Sequence, residues 1–295
     1  MELREYQQQA QSTDQVPIRE GDGLVVPLLG MAGEVGSLLV EYKKRLRDGP
    51  AHRLFRDQFA EELGDIFWYL ANLASKFDLD LDWIAQQNLQ KTRDRWRPRD
   101  GSALESPATA SLLDEDYPPT EQLPRSFVAE ITEEVMPEGK ARITLTVDGE
   151  PVGSELTDNA YQDDGYRFHD VFHLAHAAVL GWSPVVRKIL ARKRKSKPEI
   201  DEVEDGGRAI VIDEAIVAFV FDYARKHNFL EGVETVDYQL LKTIRSLTSG
   251  LEVRARSAHE WEESIVAGYR VWRAVRVQRG GTIVVDLSNR TLELR

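Results

Sequence analysis

The sequence predicts a mainly α-helical protein, with a four-helix N-terminal unit followed by an α+β domain that carries short β-hairpins. Three observations support this reading. From Tyr6 to Trp96, apolar residues recur at intervals of three and four with few β-branched clusters. Between Arg97 and Pro124, prolines, small residues and acids displace that pattern. Beyond it, short alternating segments are interspersed with further helical ones.

The elements follow in order. Helices are predicted over 2–12, 24–47, 53–77 and 80–95. Gly49-Pro50 stops the second, and Asp80 is placed to cap the fourth. Residues 98–124 include Pro107, Pro118, Pro119, Pro124 and the run Asp114-Glu115-Asp116, a composition read as an acidic, Pro-rich linker. Residues 126–135 and 141–147 alternate apolar and polar around Pro137-Glu138-Gly139-Lys140, which predicts a hairpin with one wet, acidic face. Helices are then predicted over 167–191, 209–225, 235–248 and 257–276. A second hairpin pairs Thr282–Leu287 with Thr291–Leu294. The expected organisation is a domain over 1–97, a linker over 98–124 and a second domain over 125–295. Two domains suit the 295 residues at roughly 100–200 each.

Composition excludes several chemistries. With no cysteine, neither a disulfide framework nor thiolate metal binding nor a thiol nucleophile is available, so a metal must be held by oxygen or imidazole. The 38 basic and 50 acidic residues give a net charge of −12, which opposes broad charge-driven binding of nucleic acid. Residues 101–165 hold 3 basic and 15 acidic side chains, whereas the flanking segments carry −3 and +3. The two domains are therefore nearly neutral and do not repel a nucleotide phosphate. The sequence opens Met1-Glu2-Leu3-Arg4-Glu5, without the apolar core of a signal peptide, and no uninterrupted apolar run approaches about 18–20 residues. A soluble cytoplasmic protein without a membrane partner is expected.

In the first domain, Glu34, Ser37 and Glu41 share one helical face at i, i+3 and i+7, as do Glu62 and Asp65 on the next helix. Such pairs also occur on solvated faces. Here, however, Glu34 follows the apolar run from Val25 to Ala32, and Asp65 leads into Ile66-Phe67-Trp68-Tyr69-Leu70. Acids against apolar runs tend to be partly buried and then need a partner or a metal. Oxygen-only ligands suit Mg²⁺, or Mn²⁺, whose usual task is to clamp phosphate oxygens and lower the pKa of an attacking water. Asn88, Lys91 and Arg95 repeat at i, i+3 and i+7 and offer an amide and two cations to a polyphosphate. Trp68 or Phe67 could stack on a base, although aromatics in apolar helices commonly belong to the core.

Glu5-Tyr6-Gln7, Leu28 through Lys44 (LLGMAGEVGSLLVEYKK), Glu61 through Leu73 (EELGDIFWYLANL) and Asn88 through Trp96 (NLQKTRDRW) together resemble the MazG-like, all-α nucleoside triphosphate pyrophosphohydrolases. The resemblance covers about residues 1–97, with four motifs in the expected order. It implies a four-helix MazG-like bundle and Mg²⁺-dependent cleavage between the α and β phosphates, yielding a nucleoside monophosphate and pyrophosphate. It also implies a homodimer or homotetramer. The family's metal signature is an E-x-x-E helix followed by an E-x-x-D helix. Glu34, Glu62 and Asp65 fall on three of its four positions and would act as ligands and catalytic groups, while Lys91 and Arg95 would neutralise the leaving pyrophosphate. The fourth position is Ser37, a neutral and weaker ligand. Glu41, one turn beyond, could replace it. The alternative is a weakened site that senses nucleotide, with the second domain as effector.

In that second domain, which resembles a MazG-associated C-terminal domain of unassigned function, His169, His173 and His176 share a helix face at i, i+4 and i+7. A further ligand could come from Glu214 or Asp213 on the next apolar helix. A buried hydrogen-bond network, a metal site and an acid/base site all fit this pattern. The run Arg187, Lys188, Arg192, Lys193, Arg194, Lys195 and Lys197 precedes a cluster of acids over 199–205. It reads as a charge-balanced helix end, as a local phosphate contact, or as a surface that docks the acidic 101–165 segment.

Overall fold

The computed structural model describes residues 1–17, 19–96, 112–137, 139–157 and 160–295. Residues 98–111 of the predicted linker lie outside them. The chain divides into two units, Met1–Arg93 and Asp94–Arg295.

In the first unit the expected helices form as α1 (Leu3–Ser12), α2 (Asp22–Asp48), α3 (Phe55–Lys76) and α4 (Leu81–Arg95). The long helices α2 and α3 lie against each other, and α1 packs on α3. The Tyr6 ring stacks on Phe67 with centroids 4.5 Å apart. Gln7 ties α1 to the α3–α4 turn: its amide donates to the Leu79 carbonyl (2.8 Å) and its oxygen accepts from Leu81 N–H (2.8 Å). Asp80 caps α4 as expected, accepting from Trp83 N–H at 3.0 Å.

The fourth helix departs from the closed bundle. Leu81 is buried, but residues 86–93 are exposed. The physical reason lies in the sequence: from Gln86 to Arg93, Leu89 is the sole apolar residue, so no stripe exists for burial. The Gly23–Ala51 stretch is long and apolar enough to cross a membrane by length and composition, although only 11% of the stretch's most apolar window is buried in this chain. Glu34 interrupts the stretch, so no uninterrupted apolar run of that length appears in the sequence.

The second unit is built on one five-stranded antiparallel sheet of order β3-β2-β1-β4-β5, with β1 (Ser126–Val135), β2 (Ala141–Val147), β3 (Glu150–Leu156), β4 (Gly280–Asp286) and β5 (Thr291–Leu294). The two expected hairpins are thus halves of a single sheet, joined where β1 pairs with β4 through Val128↔Val284. Phe127, Ala129 and Ile131 on β1, Ile143 and Leu145 on β2, and Ile283 and Val285 on β4 alternate inward and are buried. Strand β3 was not expected from the sequence. It follows Asp148-Gly149, both at positive φ (49° and 88°), a two-residue turn whose twist suits a hairpin.

Helices cover the buried face: α5 (Asp170–Ala175), α6 (Pro184–Ile189), α7 (Pro198–Val203), α8 (Gly207–Arg225), α9 (Tyr238–Leu247) and α10 (Ala258–Gln278). Trp182, Trp261 and Trp272 are fully buried among them. The continuous helix expected over 167–191 is broken. A turn of 3-10 helix at Tyr166–Phe168 leads into α5, which widens into one π turn over His176–Leu180 and ends at Gly181 with φ 64°. Ser183 then caps α6, accepting from Val186 N–H at 3.1 Å, with Pro184 in the first turn. At the other end of the layer, α10 runs into β4 through Gly280, whose φ is 141° and whose Cβ position lies 2.5 Å from the Ile131 carbonyl oxygen. Gly280→Ala is therefore expected to destabilise the second unit by about 1–3 kcal/mol, from the disallowed conformation together with the clash. Urea denaturation checks this, and an unchanged midpoint would contradict it.

Candidate metal and nucleotide site

The acidic cluster sits where α2 and α3 face one another. One carboxylate oxygen from each of Glu34, Glu62 and Asp65 lies within 4.8 Å of the others. Glu34 and Glu62 are half-buried and Asp65 is exposed. Partial burial, then the neighbouring Glu34 and Asp65 charges, push the Glu62 carboxyl above its ordinary range. Burial and the Asp65 charge likewise raise the Tyr6 phenol. Three like charges that converge with no cation paired to them among the described residues are the donor set a hard divalent ion neutralises.

The other predicted residues divide. Glu41 does not join the cluster. Its buried carboxylate is held by Lys44 and lies 3.0 Å from His52 Nε2, and those bonds keep it below the usual carboxylate range. Ser37 is half-buried on α2. Asn88 and Lys91 are exposed on α4. Arg95 is committed elsewhere: its guanidinium donates to the Val236 carbonyl (2.6 Å), pairs with Glu262 (3.3 Å) and lies over the Trp96 and Tyr238 rings. Trp68 is likewise occupied, its indole N–H donating to Thr13 Oγ (2.8 Å) and its ring set edgewise to Tyr69.

In the second unit the three histidines are buried and meet α8, where Asp213 is shared by His173 and His176, and Glu214 by His173 and His169. Asp213 Oδ1 lies 2.8 Å from His176 Nδ1 and 3.0 Å from His173 Nδ1, while Glu214 Oε2 lies 3.2 Å from His173 Nε2. Burial by itself would favour neutral His173, but the two carboxylates outweigh it and hold the imidazole above its ordinary value. In the same way burial would raise Asp213, but His173 and His176 hold it down. His169 faces the Tyr166 carbonyl (3.2 Å) and stacks on that ring. Sequence reasoning missed Ser183, whose hydroxyl donates to Asp213 Oδ2 at 2.6 Å. The Ser183-Pro184 pair is a helix-start signal that could have revealed it.

The basic run serves the fold. Arg187 donates to Asp114 (2.7 Å) and the Glu121 carbonyl (3.0 Å), Arg192 donates to the Thr120 carbonyl (3.1 Å), and Arg194 forks onto Asp205 and Glu252 (2.7 Å each). Leu123 and Asp114 are buried, so residues 112–124 pack into the second unit instead of forming a free linker. Burial alone would raise Asp114, yet Arg187, the Leu123 N–H and Arg125 hold it below its ordinary value. Its stabilising contribution is therefore complete above the unfolded value of about 3.9 and is lost as pH falls through the lower folded value. Asp114→Asn is expected to lower stability near neutrality and flatten the acid limb of a stability–pH curve. An acid limb with wild-type slope would refute this assignment.

The chain thus joins a helical unit with a three-carboxylate cluster to a sheet-and-helix unit with a buried histidine–aspartate cluster. The family profile described as the MazG C-terminal domain matches residues 108–295, and the chain belongs to that family. The match begins ahead of the predicted boundary at 125, in accord with the packing of residues 112–124. Gene 37 protein of Mycobacterium phage L5 is 40% identical over 76 residues, which is 25% of this chain and 67% of the phage protein. No solved structure matches the chain.

Proposed function

We propose that this protein is a divalent-metal-dependent nucleoside triphosphate pyrophosphohydrolase that cleaves between the α and β phosphates. The observation that carries the reading is the convergence of Glu34, Glu62 and Asp65 from two packed helices. These carboxylates would hold Mg²⁺, with Mn²⁺ as the alternative ion. Bound there, the ion supplies charge neutralisation on phosphate oxygens and activation of the attacking water. Asn88 and Lys91 are the groups on α4 free to bind the polyphosphate and to offset charge on the departing pyrophosphate. Arg95 and Trp68 leave that role because each is engaged within its own unit.

The chain supports a second reading through Glu41. Ser37 supplies no charge, and Glu41 is tied to Lys44 and His52, so the cluster keeps three carboxylates and no fourth. That favours weak retention of a second ion and a sensor that binds nucleotide with slow turnover. The same experiment tests both: incubation with a nucleotide panel and Mg²⁺ or Mn²⁺, with products identified by mass. Monophosphate and pyrophosphate support the enzyme. Calorimetric binding without product supports the sensor, and Ser37→Glu should then restore turnover. Neither binding nor product with any nucleotide would sink both.

The exposed apolar side chains of α2, among them Leu29 (68%) and Leu39 (63%), belong in this proposal to a homo-oligomer interface. A second copy suits this face better than lipid, because Glu34 interrupts the stretch and a mid-bilayer carboxylate is costly. Light scattering on detergent-free protein should give a dimer or tetramer, and a monomer would refute the interface.

A further inference from the structure

The histidine cluster in the second unit has features that a hydrogen-bond network leaves unexplained. Asp213 is fully buried, among two imidazoles, the Ser183 hydroxyl and the Val185 N–H. A buried carboxylate of this kind needs a positive partner. His173 Nδ1 is buried, lies 3.0 Å from Asp213 Oδ1 and has no hydrogen-bond partner among the described residues. One ligand atom from each of His173, His176 and Asp213 lies within 4.8 Å of the others.

We propose that His173 Nδ1, His176 Nδ1 and Asp213 Oδ1 are the ligands of a buried divalent transition-metal ion, of the Zn²⁺ class that imidazole favours over Mg²⁺. The atoms are 2.8 and 3.0 Å from the shared oxygen, and tetrahedral ligands on bonds of about 2.0–2.1 Å are about 3.3 Å apart. A movement of a few tenths of an ångström therefore admits the ion, which displaces the proton between His176 and Asp213. The surroundings are those of ligand-orienting groups. Glu214 Oε2 faces the far nitrogen of His173 at 3.2 Å, and the Ser183 hydroxyl fixes the second oxygen of Asp213 at 2.6 Å.

Beside His176 there is also room for a water. A cavity of about 10 Å³, the room one water needs, is lined by His176, Ser264 and Tyr269. Ser264 Oγ and Tyr269 OH are buried and have no partner among the described residues. A water there would satisfy both. The π turn begins at His176 itself, and π turns inside helices occur frequently at functional sites. His169 lies 3.2 Å from the Tyr166 carbonyl and stacks on that ring, and it comes within 3.9 Å of Glu214 on the far side of His173 from Asp213. An ion so held would pin α5 and its π turn to α8.

The test uses the full chain, stripped with a chelator and titrated with Co²⁺ and Zn²⁺. One equivalent of Co²⁺ should give the visible absorption of a four-coordinate site, and either ion should raise the thermal midpoint. His173→Ala and Asp213→Asn should abolish both effects. Because these buried variants could fail to fold, Glu214→Gln is the second probe. It keeps all three ligands and should weaken Co²⁺ binding by about 10–100-fold with an unchanged circular dichroism spectrum. Glu62→Gln should leave the cobalt band intact, which separates this site from the carboxylate cluster. No band and no thermal shift in the stripped, refilled protein would overturn the proposal. So would a band that disappears with Glu62→Gln, or wild-type Co²⁺ affinity in Glu214→Gln.

Discussion

Glu62→Gln is expected to reduce nucleotide turnover roughly a hundredfold or more, because a bound ion contributes several kcal/mol of charge stabilisation and each 1.4 kcal/mol or so is tenfold in rate. The same substitution should have the opposite effect on the metal-free protein. Glu62 is raised by partial burial and by Glu34 and Asp65, so it contributes stability at acid pH that is lost as pH rises through the folded value. Removing its charge relieves that repulsion. Without metal, the variant should be as stable as the wild type in acid and more stable near neutrality. With Mg²⁺, the wild type should gain thermal stability that the variant does not. Loss of activity by misfolding would give a lower metal-free midpoint, so calorimetry with and without Mg²⁺ distinguishes the two causes. Undiminished turnover in Glu62→Gln would remove the cluster from the chemistry.

Arg194→Ala should produce the largest loss of stability in the second unit, about 3–5 kcal/mol by urea denaturation. Arg194 and Asp205 are both completely buried, and the guanidinium forks onto Asp205 and onto Glu252. Burial alone would lower the Arg194 pKa, but the two carboxylates hold it above its ordinary value. Removing the cation leaves Asp205 dehydrated, with Arg187 3.8 Å away as its remaining guanidinium neighbour. Replacing both residues by apolar side chains, Arg194→Met with Asp205→Leu, should recover much of the loss, since the penalty is an unpaired buried charge and not the absence of an ion pair. A surface arginine used for phosphate binding would behave differently. Its removal would cost under about 1 kcal/mol and would weaken anion binding instead.

These expectations separate what a linear sequence can carry from what it cannot. The caps and stops of the first unit are local events, so Asp80 at the start of α4 and Gly49-Pro50 after α2 are legible from neighbours in the chain. The pairing of β1 with β4 is not, because Ser126 and Asp286 are partners although the helices of the second unit separate them along the chain. The Asp148-Gly149 turn carried a local signal for β3, but Pro151 and Gly153 in the strand weaken its alternation.

The candidate sites divide in the same way. Helical spacing alone put Glu34 on one face and Glu62 with Asp65 on another, and it put His169, His173 and His176 together. Spacing says which side chains share a face but not what lies opposite. Packing decided that Glu41 turns to Lys44 and His52, that Arg95 is held by Val236 and Glu262, and that Asp213 meets the histidines at closer range than Glu214 does. It also decided that the basic run from Arg187 to Lys197 meets Asp114, Glu121 and Asp205. The sequence by itself determined the helices of the first unit, the order of the two units and the residue types available to each site. The tertiary structure alone decided which charges are paired, because a partner's identity depends on through-space distance and desolvation, and neither is a function of separation along the chain.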